Sequence, residues 1–328
     1  MNCAEPLVEV KDLVKEFTLR RSFSRPEQVR AVNGVSFSIF KGETLGLVGE
    51  SGCGKSTLGR LILRILRPSS GAVRFAGTDI TGLSGGALEP FRRRMQIIFQ
   101  DPYSSLNPAM LVRDIIAEPL LLAARRSRES RLSEENRGRI EEALTRVGMS
   151  AGDMYKYPHE FSGGQHQRIA IARALITRPE FILCDEATSS LDVSIQAQVV
   201  NLLEDLQKDF GLTYLFIAHN LSIVRHISRR IAVMYMGELV EIAEAGEICE
   251  KPLHPYTQAL LKAVPVPDPR RAREALPDPF EGELPGPMEE RRGCAFFTRC
   301  PRARDVCGTR RPALQDAGAG RQAACHEL

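Results

Sequence analysis

The length, composition and charge of the chain exclude several classes of protein. Its 328 residues exceed a typical domain of roughly 100 to 200 residues, so we expect one large core with a smaller appended piece. Hydrophobic residues make up 43% and charged residues 26% of the chain, values that exclude disorder over most of its length. The 44 Lys and Arg residues barely exceed the 41 Asp and Glu residues, so charge gives no argument for a nucleic-acid partner.

The sequence contains no candidate for a membrane-spanning segment. No apolar run approaches the roughly 18 residues that span a bilayer. The start of the chain, MNCAEPLVEVKD, lacks the basic and apolar stretches of a signal peptide. We therefore expect a cytosolic protein, unless a partner recruits it.

The first predicted elements are strands, a loop and a helix. Residues 7–19 and 29–40 alternate apolar and polar positions, which predicts two half-buried strands separated by the basic stretch RRSFSRPEQ. Residues 44–48 (TLGLV) predict a buried strand that ends at glycines, and residues 56–66 have the apolar spacing of a helix.

The middle of the chain predicts a strand followed by helices. Residues 95–99 read as an apolar strand, which Gln100 and the turn-rich stretch DPYSSLNP follow. Residues 111–147 predict helical structure, with the basic stretch Arg125 to Arg131 as a solvated interruption.

Strands and helices continue to alternate up to about residue 264. Residues 181–184 and 213–218 predict buried strands on either side of an amphipathic helix over residues 194–208. This alternation predicts a parallel sheet covered by helices. Seven prolines then lie between Pro265 and Pro287, which is typical of an extended linker.

A phosphate-binding loop is the most specific motif in the sequence. The stretch GESGCGKS matches G-x-x-x-x-G-K-[ST] and lies between a predicted strand and a predicted helix, as its chemistry requires. Glycines let successive backbone N–H groups face a phosphate, and the helix adds its positive N-terminal end. The nucleotide-binding residues predicted from this motif are Gly49, Glu50, Ser51, Gly52, Cys53, Gly54, Lys55, Ser56 and Thr57.

Individual residues of this loop have separate predicted roles. Lys55 is expected to reach the β and γ phosphates, and Ser56 to give its hydroxyl to Mg²⁺. Thr57 could contact a further phosphate oxygen. Cys53 is read as a small loop residue only.

A second nucleotide motif is FILCDE, an apolar strand that delivers Asp185 and Glu186 at its carboxyl end, where open α/β sheets bind ligands. Asp185 is expected to hold Mg²⁺, and Glu186 to orient and polarise the attacking water. The alternative is two solvated acids at a strand end. His219, at the end of TYLFIAH, could contact the γ phosphate or be structural, and Gln100 is equally ambiguous by itself.

The stretch FSGGQ, Phe161 to Gln165, followed by HQRIAIARAL, resembles the signature motif that distinguishes ABC ATPases from other P-loop NTPases. An ordered set covers about two thirds of the chain at separations typical of the family: Phe17, the phosphate loop, Gln100, FSGGQ, FILCDE, SSLD and His219. The resemblance implies an α/β P-loop NTPase fold: an ABC nucleotide-binding domain with a mixed sheet core, an antiparallel β subdomain and a helical subdomain, plus a small Cys-containing C-terminal extension.

The resemblance also implies roles for single residues. Phe17 matches the aromatic that stacks on adenine, Gln100 the Q-loop that meets Mg²⁺ and the membrane partner, and Asp192 the D-loop. Glu186 matches the catalytic carboxylate and His219 the switch histidine.

The signature motif implies a composite site. In the family two nucleotide domains pair head to tail, and each signature contacts the ATP held by the other subunit. The residues that match this trans-acting set are Ser162, Gly163, Gly164 and Gln165. Three departures from the family pattern are Phe161, Ala187 and Asn220; none removes a catalytic group, and they leave the turnover rate open.

A narrower resemblance is carried by QDPYSSLNP and by HPYTQALL, His254 to Leu261. Both look like the ATPases of the oligopeptide/dipeptide importers. The resemblance implies an ATPase that uses ATP and Mg²⁺ to energise peptide import, peripheral on the cytoplasmic face of the inner membrane. Its implied partners are a second ABC ATPase subunit, two transmembrane permeases and an extracytoplasmic substrate-binding protein, with no nucleic acid. The resemblance favours a heterodimer of ATPase subunits and leaves a homodimer open.

These resemblances predict three regions of the chain. Residues 1–264 form the ATP-binding domain, with the helical subdomain at about 101–170. Residues 265–293 form the proline-rich linker, and residues 294–328 a four-cysteine segment.

The four cysteines of the last segment are Cys294, Cys300, Cys307 and Cys325. In a reducing cytosol such a cluster favours a metal over disulfides. The spacing is unlike that of most structural zinc sites, and four thiolates suit a [4Fe-4S] cluster. Because some peptide-importer ATPases carry such a cluster at a similar tail, the resemblance favours [4Fe-4S] over Zn²⁺ or free thiols.

Other functions stay open from the sequence. The transported solute could be nickel, glutathione or another small molecule, because the ATPase does not select it. A soluble ABC ATPase of DNA maintenance or translation is disfavoured, since the chain has no long coiled-coil insertion and only one cassette. The cysteine segment keeps a redox sensor as a third alternative.

Overall fold

The structure is a computed structural model that describes residues 5–19, 27–123, 134–189, 191–263 and 292–328. It divides into two compact units. The first unit comprises residues 1–7, 39–44 and 82–218, and the second comprises residues 8–38, 45–81 and 219–328.

Twelve strands are present in the described ranges. In chain order, β1 to β12 are Pro6–Leu19, Glu27–Phe40, Thr44–Val48, Ser70–Phe75, Thr78–Asp79, Met95–Ile98, Phe181–Asp185, Thr213–Ile217, Arg230–Tyr235, Glu238–Glu244, Gln315–Gly318 and Arg321–Ala323.

Eleven α-helices are present in the same ranges. In chain order, α1 to α11 are Lys55–Ile62, Glu89–Arg94, Pro102–Ser105, Val112–Ala123, Glu134–Arg146, Gly163–Leu175, Val193–Phe210, Leu221–Ile227, Ala245–Glu250, Pro255–Lys262 and Asp305–Thr309. Short 3₁₀ turns are Gly85–Ala87, Ala151–Tyr155, Pro158–Glu160 and Phe297–Arg299.

The first unit contains three parallel strands, and helices connect these strands along the chain. The strand order is β8, β7, β6, with Cys184 paired to Ile98 and to Phe216. Every residue of β7 and β8 is buried, which is why these strands are continuous apolar runs without polar alternation. Helix α7 ends at Gly211, whose φ of 64° terminates it in the left-handed conformation.

The second unit contains two groups of strands. β1, β4 and β5 belong to a four-stranded sheet in the order β2, β1, β4, β5, and the pairs β1–β4 and β4–β5 are antiparallel. The other strands run β11, β12, β10, β9, β3. Because β3 and β9 are parallel whereas β9 and β10 are antiparallel, this sheet is mixed. The predicted α/β class, with a mixed sheet, an antiparallel sheet and a helical region, is confirmed.

The C-terminal extension is folded and adds strands to a sheet of the second unit. β12 pairs antiparallel with β10, with Ala323 opposite Glu241, and β11 pairs with β12. The sequence analysis predicted no strands here. Across the described ranges, no helix is both long and apolar enough to cross a lipid bilayer.

Two predicted elements differ from the structure. The helix predicted over residues 56–66 ends at Ile62, because Arg64 has a φ of +55° and its buried guanidinium donates to the carbonyl of Ile80 at 3.0 Å. The stretch DPYSSLNP was predicted as turns, but Pro102–Ser105 form one helical turn. The Asp101 carboxylate caps this turn by accepting the Tyr103 N–H at 2.9 Å.

The remaining predicted strands are confirmed, with ends that shift by a residue or two. Three predictions lie wholly or mostly outside the described residues: the basic stretch RRSFSRPEQ, the interruption from Arg125 to Arg131, and the linker over 265–293.

Candidate functional site

The phosphate loop in the second unit follows β3 and leads into α1. A Cβ atom on Gly49, whose φ is +156°, would lie 2.1 Å from the Met234 carbonyl oxygen, and one on Gly54, φ +106°, would lie 2.2 Å from the Ala31 carbonyl oxygen. Only glycine permits both the backbone conformation and the close approach of these carbonyls. Gly49 and Gly54 are therefore required for steric reasons within this chain.

Lys55 lies inside the curl of this loop. Its buried ammonium donates to the carbonyl oxygens of Gly49 and Glu50, each at 2.9 Å. Ser56 and Thr57 follow in the first turn of α1 and are half-buried. A lysine ammonium, loop amides and a helix N-terminus in one place are the features that recognise phosphate.

The remaining loop residues differ in exposure. Ser51 and Gly52 are exposed, whereas Cys53 is buried. Burial raises the pKa of the Cys53 thiol against the opposing charge of Lys55. A neutral, buried thiol agrees with the interpretation of Cys53 as a small loop residue.

Two further predicted nucleotide residues belong to the second unit. Phe17 on β1 is 37% exposed, and the Lys15 ammonium lies over its ring, 5.1 Å from the ring centroid. His219 is exposed and precedes α8. Asn220, one of the departures from the family pattern, caps that helix by accepting the Ser222 N–H at 3.0 Å.

In the first unit, Asp185 and Glu186 end β7 and begin the following turn, and both are buried. Glu186 has a φ of +53°, an unfavourable conformation for a side chain of this type. Its N–H donates to the Ile217 carbonyl at 3.0 Å, and its own carbonyl accepts the Ser189 hydroxyl at 3.0 Å. Strain held in place by neighbouring bonds is common at functional residues.

The signature residues of the first unit lie at the N-terminus of α6. Gln165 Oε1 accepts from the Ser162 N–H at 2.9 Å and from the Ser162 hydroxyl at 3.2 Å. Both side chains are exposed. Gly163 begins the helix, and a Cβ on Gly164 would lie 2.8 Å from Ile195. The motif thus presents an exposed helix N-terminus whose first turn is internally ordered.

Gln100 and Asp192 are both exposed residues of the first unit. Gln100 follows β6, and Asp192 precedes α7, where its carbonyl accepts the Gln196 N–H at 2.8 Å. A cavity of about 640 Å³ lies in the same unit and is lined, among others, by Phe99 and Arg173. Gln96 and Ile97 of β6 also line this cavity.

The sequence analysis did not predict how Glu50 is held. Its N–H donates to the Tyr256 hydroxyl at 2.9 Å. Its carboxylate oxygens accept from Arg299 at 3.1 and 3.2 Å. The HPYTQALL motif contains Tyr256, but the sequence analysis used this motif only as a marker of the family. No local sequence pattern indicates that Arg299 contacts the phosphate loop.

The start of the HPYTQALL motif is fixed by two buried polar groups. The Glu241 carboxylate on β10 accepts the N–H groups of Leu253 and His254 at 2.8 and 2.9 Å. The His254 Nδ1 accepts the Tyr256 N–H at 3.0 Å, which caps α10. Burial lowers the pKa of His254 to about 4, so the imidazole is neutral at physiological pH.

The four cysteines of the extension lie close enough for their thiols to interact electrostatically. Burial, together with the charges of the neighbouring thiols, raises the pKa of Cys294 to about 11 and raises the pKa values of Cys300 and Cys325. Cys307 is buried. Within the part of the chain that the structure describes, no three His, Cys, Asp or Glu side chains are arranged to hold a metal ion. The expected [4Fe-4S] or Zn²⁺ centre is not supported by this geometry.

Two family models match the chain. Residues 32–189 match the model described as ABC transporter. Residues 240–307 match the model described as oligopeptide/dipeptide transporter, C-terminal region.

Several curated proteins are similar over nearly the whole length. The putative oligopeptide transport ATP-binding protein YkfD of Bacillus subtilis is 51% identical over 324 residues, which cover 98% of this chain and 95% of that protein. The oligopeptide transport ATP-binding protein OppF of Salmonella typhimurium is 47% identical over 94% of this chain and 92% of its own. The di/tripeptide transport ATP-binding protein DppF of Pseudomonas aeruginosa is 45% identical over 98% of both.

Solved structures show the same likeness. A dimeric ATP-binding cassette in a post-hydrolysis state with ADP and Pi has a TM-score of 0.63 and 28% identity, covering 73% of this chain and 98% of that chain. A part of the cbiONQ ABC transporter complex from Clostridium perfringens has a TM-score of 0.62 and 30% identity, covering 75% and 92%.

Proposed function

We propose, from the premise that this chain belongs to the oligopeptide/dipeptide family of ABC transporter ATP-binding proteins, that it hydrolyses ATP to energise peptide import. The observation that carries this proposal is similarity at 51% identity that runs through the C-terminal region as well as the ATP-binding region. The relatives compared above are named as peptide transport proteins, which favours peptides over nickel or glutathione. It also favours transport over a soluble ATPase function.

Each of the nucleotide residues has a proposed role. Lys55 and the loop amides bind the phosphates, and Phe17 stacks on adenine. Glu186 orients the attacking water and draws its proton, while His219 contacts the γ phosphate. Ser56, Gln100 and Asp185 would hold Mg²⁺, which supplies neutralisation of the phosphate charge.

The signature residues are proposed to act on a partner subunit's nucleotide. The exposed N-terminus of α6, which begins after Ser162, offers backbone amides and a hydroxyl to an anion. In the same way, the partner subunit's signature motif would contact the ATP held by this chain's phosphate loop. We propose a second ABC ATPase subunit as that partner, in a heterodimer, with Asp192 at the shared interface. ATP then favours the closed pair, and hydrolysis releases it.

The remaining proposed partners belong to the membrane complex. The cavity beside Phe99 and Arg173 is proposed to receive a segment of a permease, so that nucleotide state at Gln100 is sensed by the membrane subunits. Two permeases and an extracytoplasmic substrate-binding protein complete the importer. This assembly places the chain peripherally on the cytoplasmic face of the inner membrane.

Exchange of the proposed catalytic carboxylate tests the function directly. In the assembled transporter, Glu186→Gln is expected to bind ATP normally, to hydrolyse it at least roughly 10²-fold more slowly, and to lose peptide uptake. Asp205→Asn, which removes an exposed carboxylate on α7, is the matched control and should retain both activities. Unchanged uptake by Glu186→Gln would refute the catalytic assignment.

The substrate class is tested by isolating the native complex. We expect the co-purifying substrate-binding protein to carry peptides, which mass spectrometry of the released ligand identifies. A metal ion or glutathione in its place would overturn the peptide assignment and leave the ATPase assignment intact.

A [4Fe-4S] cluster, with Zn²⁺ as the alternative, is proposed for the four cysteines on the chemistry of the donors alone. Four thiols in one short folded segment support it, whereas their arrangement does not. An anaerobically purified sample is expected to contain iron and acid-labile sulfide. Absence of both would remove the cluster from the proposal.

A further inference from the structure

The second residue of the phosphate loop is held at three separate points. The Tyr256 hydroxyl accepts the Glu50 N–H, and Lys55 donates to the Glu50 carbonyl. Arg299 donates from one guanidinium nitrogen to both carboxylate oxygens of Glu50. Backbone and side chain of Glu50 are therefore both fixed.

The Arg299 contact is largely withdrawn from water. The Arg299 side chain is 5% exposed and that of Glu50 is 21% exposed. The same nitrogen lies 3.3 Å from the Tyr235 hydroxyl. Exposed ion pairs contribute little, but removal of one partner from a buried pair leaves an uncompensated charge, which is strongly unfavourable. The contact is therefore able to hold Glu50 in one position.

Arg299 is itself positioned by the packing of the C-terminal segment. It ends the 3₁₀ turn Phe297–Arg299. Phe296, which precedes this turn, is fully buried and packs against Tyr235 and Tyr256, with ring centroids 5.3 and 5.4 Å apart. The aromatic cluster thus links the turn that carries Arg299 to the tyrosine that holds the Glu50 N–H.

A second contact orders the segment around this turn. The Cys294 N–H donates to the Cys307 carbonyl at 2.7 Å. A Cβ on Gly293 would lie 2.1 Å from the same carbonyl, so the two stretches of backbone lie in close contact. The turn is consequently a fixed platform for the guanidinium.

We propose that Arg299 is a positioning residue for ATP binding: it fixes Glu50 and thereby pre-forms the phosphate loop, so that the C-terminal segment raises the chain's affinity for ATP. The physical basis is preorganisation. A loop whose amides are already aligned loses less conformational freedom when it binds a phosphate. The guanidinium acts on the loop and is not assigned a contact with the nucleotide.

Binding measurements on the full-length chain test this proposal. Isothermal titration with a non-hydrolysable ATP analogue and Mg²⁺ gives Kd, and steady-state ATPase assays of the assembled transporter give KM and kcat. We expect Arg299→Ala to raise Kd and KM by roughly fivefold to tenfold, with kcat within about twofold of wild type. Arg299→Lys retains a cation but not the guanidinium geometry, so we expect its Kd to lie between those of Arg299→Ala and the wild type.

Arg321 provides a matched control in the same segment. Its side chain is 13% exposed and pairs with Glu247 on α9 at 3.1 Å, so it anchors the extension without touching the loop. Arg321→Ala is expected to lower the melting temperature and to leave Kd within about twofold. A loss of affinity equal to that of Arg299→Ala would overturn the proposal, since the effect would then follow general loosening of the segment.

Glu50→Gln reports on the same contact from the other side. We expect it to raise Kd as Arg299→Ala does, and the double variant to be no weaker than either single variant, as for two residues that act through one contact. Additive losses in the double variant would contradict the proposal. A Kd within twofold of wild type for Glu50→Gln would also contradict the proposal. This variant therefore tests the proposal even if Arg299→Ala does not fold. Wild-type binding tests the nucleotide site independently.

Discussion

Acid should destabilise the second unit through His254. The folded protein keeps this imidazole neutral, with a pKa of about 4, whereas an unfolded histidine titrates near 6.5. Between these values the unfolded chain binds more protons, so stability falls as pH falls. The stability is fully present above pH 6.5 and is lost progressively towards pH 4. The shift corresponds to about 3 kcal/mol, at 1.36 kcal/mol for each pKa unit.

The variant His254→Asn separates this contribution from that of the carboxylates. Asparagine is a good N-cap, so its side-chain oxygen can accept the Tyr256 N–H that Nδ1 accepts in the wild type, yet it does not titrate. Urea unfolding of both proteins at pH 7.5 and pH 4 measures the difference. We expect the variant to gain about 3 kcal/mol relative to wild type on acidification. A difference that stays constant between the two pH values would refute the reasoning.

Three further predictions follow from contacts in the second unit. Gly54→Ala should abolish ATP binding, because the new Cβ would lie 2.2 Å from a backbone carbonyl oxygen. Gly52→Ala meets nothing within 4 Å and should cost only about 1 to 2 kcal/mol of stability for its positive φ. Equal effects of the two variants in ATP titration and in urea unfolding would argue against the clash. Glu241→Gln places an amide NH₂ against the N–H group of either Leu253 or His254. It should lower the free energy of unfolding in urea by about 1 to 3 kcal/mol. The control Glu244→Gln changes an exposed side chain and should leave stability unchanged. Tyr256→Phe keeps the ring but removes the acceptor of a loop N–H, so Kd for ATP should rise roughly threefold; an unchanged Kd would show that the hydroxyl is dispensable.

The sequence predicted the elements correctly where neighbouring residues determine the local structure. The strand TLGLV, the glycine loop and α1 follow one another because a buried strand, positive-φ glycines and a helix start are each written in adjacent residues. The strand that ends at Asp185 was equally plain as an apolar run. The site roles of Glu186 and His219 rest on motif order and stay predictions.

The failures of prediction arise from contacts between distant residues. The apolar spacing of α1 continues to Leu66, but the left-handed Arg64 and its bond to the Ile80 carbonyl end the helix earlier. The strands β11 and β12 exist because β10 offers an edge for pairing, which their own sequence, QDAG and RQA, does not indicate. No spacing rule relates Arg299 to Glu50.

The ion pair between Glu50 and Arg299 joins residues 249 positions apart. During synthesis from the N-terminus, the glycine loop leaves the ribosome long before the turn that supports it. A ribosome that stops early would therefore release a chain with every nucleotide motif present and its phosphate loop unsupported. By the proposed role of Arg299, such a product binds ATP weakly, so tight nucleotide binding requires that synthesis has passed the turn that carries Arg299.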